Sequence, residues 1–347
     1  MTALRAEYDE RVPAPSAPTA PTGLAAVLAV LRCPVCAGAL DRDGDALRCA
    51  AGHGFDIGRG GYVNLRTGRA RRVAGDTAAM VAARDSFLGA GHYRPLTTRL
   101  AELATASPLG GRSAPDRGRE AGTTFHPASP AGEGPAGSEP AGSEPAGSGP
   151  VGSGPVVLEI GAGTGHHLAG VLDALPAGAA GVAVDVSKYA LRRAARAHPR
   201  IGAVAVDAAG PWPVADGRVS VLLDIFAPRN PAEMRRVLRP DGLLIVVTPE
   251  PGHLAELRGP LGLVGMQPDK GDRLDERTAD RFAPVTVERL DIPLVLSPDE
   301  AVDLALMGPT GHHRTAEDLR GRAESAWRGR RVTVTASFRI RCYRPRG

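Results

Sequence analysis

The sequence predicts an α/β chain: a Rossmann-like, mostly parallel sheet with an antiparallel last strand, preceded by a small metal-pinned module. Three observations predict it. Beyond residue 155, short β-branched runs alternate with helical stretches. Three glycines, Gly161, Gly163 and Gly165, stand between the first such run and the stretch that follows it. Cys33-Pro-Val-Cys36, with Cys49 and His53 behind it, has the spacing of metal ligands.

At 347 residues the chain is long enough for one large α/β domain and a small accessory one, each with its own core. Residues 1–23, rich in Pro and Ala, read as a disordered tail, and residues 24–106 as the metal module with bridging helices. Between Asp76 and Ala104 the apolar residues Met80, Val81, Phe87, Leu88, Leu96, Leu100 and Leu103 recur at helical spacing. Gly89, Gly91 and Pro95 interrupt them, which predicts two helices and a turn. Residues 107–155 contain a repeated Pro-Ala-Gly-Ser-Glu unit with little to bury. They read as a flexible linker, either a tolerated insertion or a functional arm.

Residues 156–347 carry the sheet. Strands are expected at 156–160, 181–186, 203–206, 219–226 and 243–248, with helices from about His166, Lys188 and Pro231. The rest adds a strand at 285–292, helices at 298–307 and 316–327, and a long alternating strand at 332–343.

Of four cysteines the metal pattern takes three, leaving Cys342, so no disulfide framework is available and a reducing cytoplasm fits. Leu24-Ala-Ala-Val-Leu-Ala-Val-Leu31 is too short to span a bilayer and ends on Arg32, so no membrane association is expected. The net charge of +4 identifies no partner by itself. Its distribution says more: Arg59, Arg66, Arg69, Arg71, Arg72, Arg84, Arg94 and Arg99 cluster against few acids. This is either a face for phosphates, with Arg69, Arg71, Arg72 and Arg84 as RNA contacts, or a solvated arginine face.

Cys-x2-Cys-x12-Cys-x3-His puts Cys33 and Cys36 on one tight knuckle, and Cys49 and His53 on a second, as tetrahedral zinc requires. Four protein ligands leave no position for water or substrate, so such a zinc is structural. In the glycine loop, residues without Cβ let the backbone turn and approach a ligand beside helix-terminal amides. Glu159 precedes the loop, and Asp185 closes the next strand where an acid can accept ribose hydroxyls. Gly-x-Gly-x-Gly favours S-adenosylmethionine over a dinucleotide, whose pattern is Gly-x-Gly-x-x-Gly. His166 and His167, next to the loop, join the candidate donor contacts.

Asp207, after the third strand, can meet an adenine amino group or cap a turn. The fourth strand runs into Asp224-Ile-Phe226-Ala-Pro-Arg229 at the sheet's carboxyl edge. There Phe226 can stack on a base and Arg229 can meet a phosphate. Asp224 is either a proton acceptor or orienting group, or a structural strand-end acid.

These residues identify a resemblance. Cys33-Pro-x-Cys36, Cys49-x3-His53-x-Phe55-Asp56, Gly61-Tyr62-Val63-Asn64-Leu65, Gly75-Asp76, Ala90-Gly91-His92-Tyr93, Glu159-Ile160-Gly161-x-Gly163-x-Gly165, Asp185-x-Ser187-Lys188, Phe226-Ala227-Pro228 and Val237-Leu238-Arg239-Pro240-x-Gly242 recur in that order. The chain resembles the bacterial 23S rRNA (guanine-N1)-methyltransferases over nearly its whole length from Cys33, the linker excepted. The resemblance implies a class I methyltransferase domain, a zinc domain that recognises rRNA, and N1 methylation of a guanine in a stem-loop lining the peptide exit tunnel. Met307-Gly-Pro-Thr-Gly-His312-His313 resembles the branch associated with tylosin-type macrolide resistance rather than the housekeeping branch. Guanine N1 carries a proton that must leave as the methyl arrives. Asp224 is the first candidate to take or steer it, and His312 or His313 the second. A homodimer in which two chains clamp one hairpin stays open.

Overall fold

The computed structural model describes residues 23–67, 74–107, 154–263 and 278–347. Expectations for the N-terminal tail, for nearly all of the linker and for Arg69, Arg71 and Arg72 lie outside the described residues.

The central strands are β5 (Val156–Ile160), β6 (Ala180–Asp185), β7 (Ile201–Ala205), β8 (Val219–Ile225) and β9 (Leu238–Pro249). All five residues of β5 are buried, which a strand covered on both faces demands and its unbroken Val-Val-Leu-Glu-Ile run supplies. The long antiparallel pair β10 (Phe282–Leu296) and β11 (Val332–Pro345), with two helices in the connection between them, closes the sheet against β9, as expected.

Four strands were not anticipated: β1 (Asp41–Asp43), β2 (Ala46–Arg48), β3 (Gly54–Gly58) and β4 (Tyr62–Asn64). They form an antiparallel meander, and β4 then pairs parallel with β7, Val63 opposite Val204. The result is one sheet in the order β1-β2-β3-β4-β7-β6-β5-β8-β9-β11-β10. The expectation of a separate core for the metal module is corrected here. Leu31, Leu40, Leu47, Cys49 and Leu65 are buried in the same apolar cluster as Val204, Val214 and Leu222. A module this small buries too little by itself, so it borrows the free edge and one face of the larger sheet.

The short helix α1 (Gly23–Val27) lies on that face, with Val27 fully buried. The opposite face is covered by α2 (Ala78–Gly89), α3 (Arg94–Thr105), α4 (His166–Asp173), α5 (Lys188–Ala197), α7 (Ala255–Leu261), α8 (Pro298–Leu306) and α9 (Ala316–Trp327), while α6 (Pro231–Val237) returns to the first. Thr77 caps α2 by accepting from the Met80 amide at 3.3 Å, and α3 begins with Pro95 in its first turn. Strand order reverses at β5, between β6 and β8, so the crevice at the carboxyl ends of β5 and β8 is where a ligand fits.

Candidate donor, acceptor and metal sites

The metal ligands converge as their spacing predicts. The ligand atoms of Cys33, Cys36, Cys49 and His53 all lie within 4.8 Å of one another. Cys36 Sγ is 3.6 Å from Cys49 Sγ, and His53 Nδ1 is 3.3 and 3.7 Å from the sulfurs of Cys49 and Cys33. A tetrahedron of ligands at zinc bond lengths has edges of about 3.3–3.8 Å; the three separations just given fall in that range, and the set as a whole closes to within 4.8 Å, so the donors fit a tetrahedral zinc. The turns are local: the Ala37 amide donates to the Cys33 carbonyl at 2.8 Å, and the Gly52 amide to the Cys49 carbonyl at 2.9 Å. The left-handed residue of the first knuckle is Ala37.

The glycine loop turns as expected, with Gly161, Gly163 and Gly165 all at positive φ. A Cβ on Gly161 would lie 2.9 Å from that of Ala227, and one on Gly163 2.5 Å from Arg84 Nη1. The loop therefore needs glycine twice over, for its backbone angles and for its neighbours. Asp185 braces it: Oδ2 accepts from the Gly163 amide at 2.9 Å and Oδ1 from the Ser187 amide at 2.8 Å. Glu159, buried beneath, accepts from the Leu168 amide at 3.2 Å. Burial pushes the Glu159 carboxyl up to about 8, Asp185 adding to the shift while the Leu168 amide and Arg84 oppose it. Both acids keep lone pairs free for donor hydroxyl or ammonium groups. The glycine cradle, the adjacent acid and the switch-point crevice together fit S-adenosylmethionine.

The histidines beside the loop go elsewhere. His167 Nδ1 lies 2.8 Å from Thr97 Oγ1 on α3, and burial lowers its pKa to about 3, so it is a neutral packing residue. His166 faces the surface cleft that it shares with Arg94, Thr98 and Asp173. Both imidazoles belong to the seam between α3 and α4 rather than to the face of the loop braced by Asp185. Asp207 accepts from the Ala209 amide at 3.0 Å, the turn-capping alternative.

At the end of β8, Asp224 sits opposite Ile160, one residue before the glycine loop. It is 0% exposed, and no side-chain donor hydrogen-bonds its carboxylate oxygens; the backbone amide of Ala227 is the polar group of the loop that faces them. The nearest cation is Arg229 Nε, 3.5 Å from Oδ1. Burial lifts the Asp224 carboxyl to about 7, with Arg229 and the Ala227 amide pulling the other way. Arg229 is thus turned inward onto Asp224, not out toward a phosphate. Phe226 does the reverse. It is 46% exposed at φ +58°, a strained angle for a bulky side chain, and its ring lies near those of Phe338 and His253, with centroids 5.7 and 6.4 Å away.

Sequence reasoning missed this aromatic corner. Phe338 comes from β11, and His253, whose Nδ1–H donates to the Ser337 carbonyl at 3.1 Å, from the turn before α7. Only the alternation of β11 hinted that Phe338 points inward.

Arg84 also departs from expectation. Its Nη2 donates to the Met307 carbonyl at 2.7 Å and pairs with Asp76 Oδ2 at 2.8 Å. Asp76 in turn accepts from Ser187 Oγ through its carbonyl at 2.7 Å, and its Oδ1 lies 3.6 Å from His312 Nε2. Arg84 is therefore drawn from the arginine face onto the donor loop, and His312 stands at that loop's rim. His313 is exposed beside it.

Comparison with known proteins agrees with this geometry. Residues 31–66 match the zinc-ribbon family described as RlmA, N-terminal, and residues 157–242 the family described as methyltransferase domain. The 23S rRNA (guanine(748)-N(1))-methyltransferase of Streptomyces fradiae is 40% identical over 310 residues, covering 89% of this chain and 95% of its own. A Micromonospora griseorubida protein provisionally named 23S rRNA (guanine-N(1)-)-methyltransferase is 46% identical over 319 residues, 91% of this chain and 97% of its own. Bacillus subtilis YxjB, named for the same reaction, is 32% identical over 65% of this chain and 67% of its own. With such identity running through both the zinc ribbon and the glycine loop, the chain belongs to the 23S rRNA (guanine-N1)-methyltransferase family.

Proposed function

We propose that this protein transfers a methyl group from S-adenosylmethionine to N1 of a guanine in a 23S rRNA stem-loop of the peptide exit tunnel. The target is the position named for the Streptomyces fradiae relative, guanine 748; the consequence, which the resemblance of Met307–His313 to the resistance branch supports, is resistance to tylosin-type macrolides. The observation that carries the reading is the junction of the glycine loop with an exposed aromatic. Ala227 abuts Gly161, and the neighbouring Phe226 is held out at a strained angle. A base stacked on Phe226 is thereby brought to the donor loop, an arrangement that suits a nucleotide flipped from its helix.

When bound, S-adenosylmethionine supplies an electrophilic methyl on its sulfonium. The chain's own residues orient the acceptor and manage its proton. Asp224 has no accessible surface, so its role is to orient: it holds Arg229 and the backbone of the 226–228 loop from behind. His312, at the loop rim beside Asp76, is the group placed to receive the N1 proton. Much of the rate comes from fixing the flipped guanine against the donor.

The zinc ribbon and its following segment, residues 24–106, form the rRNA-recognition unit, with Arg69, Arg71 and Arg72 contributing phosphate contacts. Among the described residues no helix is long and apolar enough to cross a membrane. A ribosomal RNA substrate supports a cytoplasmic location for the enzyme. Two chains clamping one hairpin as a homodimer belong to the same proposal, and sedimentation of protein with hairpin reads it.

Primer extension across 23S rRNA from cells with and without the gene tests the reaction, because N1 methylation blocks Watson–Crick pairing and halts reverse transcriptase. A gene-dependent stop at guanine 748 is expected. A stop at another guanine moves the target; no stop, with donor binding intact, removes rRNA as the acceptor.

A further inference from the structure

The donor pocket is rich in carboxyls. Glu159 lies beneath the glycine loop, Asp185 braces it and Asp76 stands at its rim. Such a lining suits the hydroxyls, ammonium and sulfonium of S-adenosylmethionine, but it offers no counter-charge to that molecule's one anionic group, the methionyl carboxylate. A cation is needed there, and Arg84 answers the description. Its charge acts on Glu159, Asp185 and His167 alike, so it stands at the electrostatic centre of the loop. The hydrogen bond to the Met307 carbonyl and the ion pair with Asp76 both use Nη2. Nη1 is left against the middle glycine, 2.5 Å from where a Cβ on Gly163 would stand. The guanidinium is thus fixed at one nitrogen by a backbone carbonyl and a carboxylate, and offers its other nitrogen to the loop.

We propose that Arg84 is the donor-carboxylate clamp of this enzyme: Nη1 pairs with the methionyl carboxylate of S-adenosylmethionine while Asp76 and the Met307 carbonyl hold the side chain in place. The inference rests on the donor-site reading above and deepens it. It transfers Arg84 from RNA recognition to donor recognition. It also explains why α2 and the segment after α8, far apart in sequence, meet at this point. Both supply the frame that keeps a long, flexible side chain aimed at one glycine. Arginine suits the task because its fork can serve two partners at once, whereas a lysine presents a single point charge.

The test is calorimetric titration of the full-length, zinc-loaded protein with S-adenosylmethionine and with decarboxylated S-adenosylmethionine, which keeps the sulfonium and the amine and lacks only the carboxylate. Wild type is expected to prefer the intact donor. Arg84→Met is expected to weaken the intact donor by about 10- to 100-fold, as loss of a charge-assisted pair implies, and to leave the decarboxylated one within about twofold. Arg84→Lys should fall between. Equal weakening of both ligands would make Arg84 a prop of the loop and overturn the proposal. So would a wild type that binds both equally well, a result that needs no variant to fold. A wild type that binds neither would overturn the donor-site reading itself, and this inference with it.

Discussion

Asp224→Asn separates the cost of burying a charge from any part that charge plays in catalysis. Asp224 has no exposed surface, no side-chain hydrogen-bond donor on either oxygen, the Ala227 amide beside it, and Arg229 Nε at 3.5 Å as its nearest cation. Its carboxyl rises from an ordinary 3.8 to about 7. Three pKa units at about 1.4 kcal/mol each amount to roughly 4 kcal/mol. The sign follows from proton counting. Between about pH 4 and 7 the folded state holds a proton that the unfolded chain has released, so wild-type stability falls as pH rises through that window. Asparagine has the shape of the protonated acid and does not titrate. Urea unfolding of both proteins across the window should therefore show a stability difference that moves toward the variant, by roughly 4 kcal/mol between about pH 4 and pH 8. Glu159 and Asp185 also titrate, but in both proteins, and cancel. A difference that stays flat with pH would refute the reasoning and mean that Asp224 is ionised at little cost. The same variant bears on mechanism, since a direct proton acceptor is worth about 10²- to 10⁴-fold in turnover, and a buried orienting group should cost less than that range.

Stripping zinc with a chelator, or Cys33→Ser, should loosen β1 to β4 and weaken hairpin binding in a filter assay by at least about tenfold, given the folding energy such sites supply; unchanged RNA affinity in metal-free protein would contradict the recognition role of the ribbon. Phe226→Ala should weaken the hairpin by about 5- to 150-fold, the worth of one base–aromatic stack, with donor affinity in calorimetry unaltered. Phe226→Gly should be about 1 kcal/mol more stable to urea than Phe226→Ala, because only glycine adopts the left-handed angle without strain; equal stabilities would deny that the loop is strained.

The parts of the site legible in the sequence are those whose geometry is local. Cys33 and Cys36 form one knuckle, Cys49 and His53 another, and chain spacing alone aims their ligand atoms. The glycine loop and Asp185 are joined by a strand crossover whose length is nearly fixed, so their encounter could be foreseen. Side-chain direction could not. Arg84 and Arg229 contribute equally to an arginine-rich composition, yet Asp76 and Met307 draw one onto the donor loop, and Asp224 turns the other into the interior. His166 and His167 adjoin the loop in sequence, but the first turn of α4 carries them toward α3. The pairing of β4 with β7 was invisible for another reason: three residues carry no pattern, and only the vacant edge of the large sheet explains where they go.

That pairing bears on how acceptor and donor are brought together. The zinc ribbon continues the sheet on the β7 side, while Phe226 rises from the end of β8 on the other side of β5. A hairpin gripped by the ribbon must therefore reach across the carboxyl ends of β7, β6 and β5 to present a base at Phe226. The path passes over Asp207, Asp185 and the glycine loop, where the donor fits. A rigid sheet fixes that distance, at about 4.8 Å per strand, so the span between the gripped part of the RNA and the methylated base is set by strand order and not by a hinge. On the proposal that the ribbon grips the hairpin, the length of the stem-loop, rather than its sequence alone, is then what this architecture would measure.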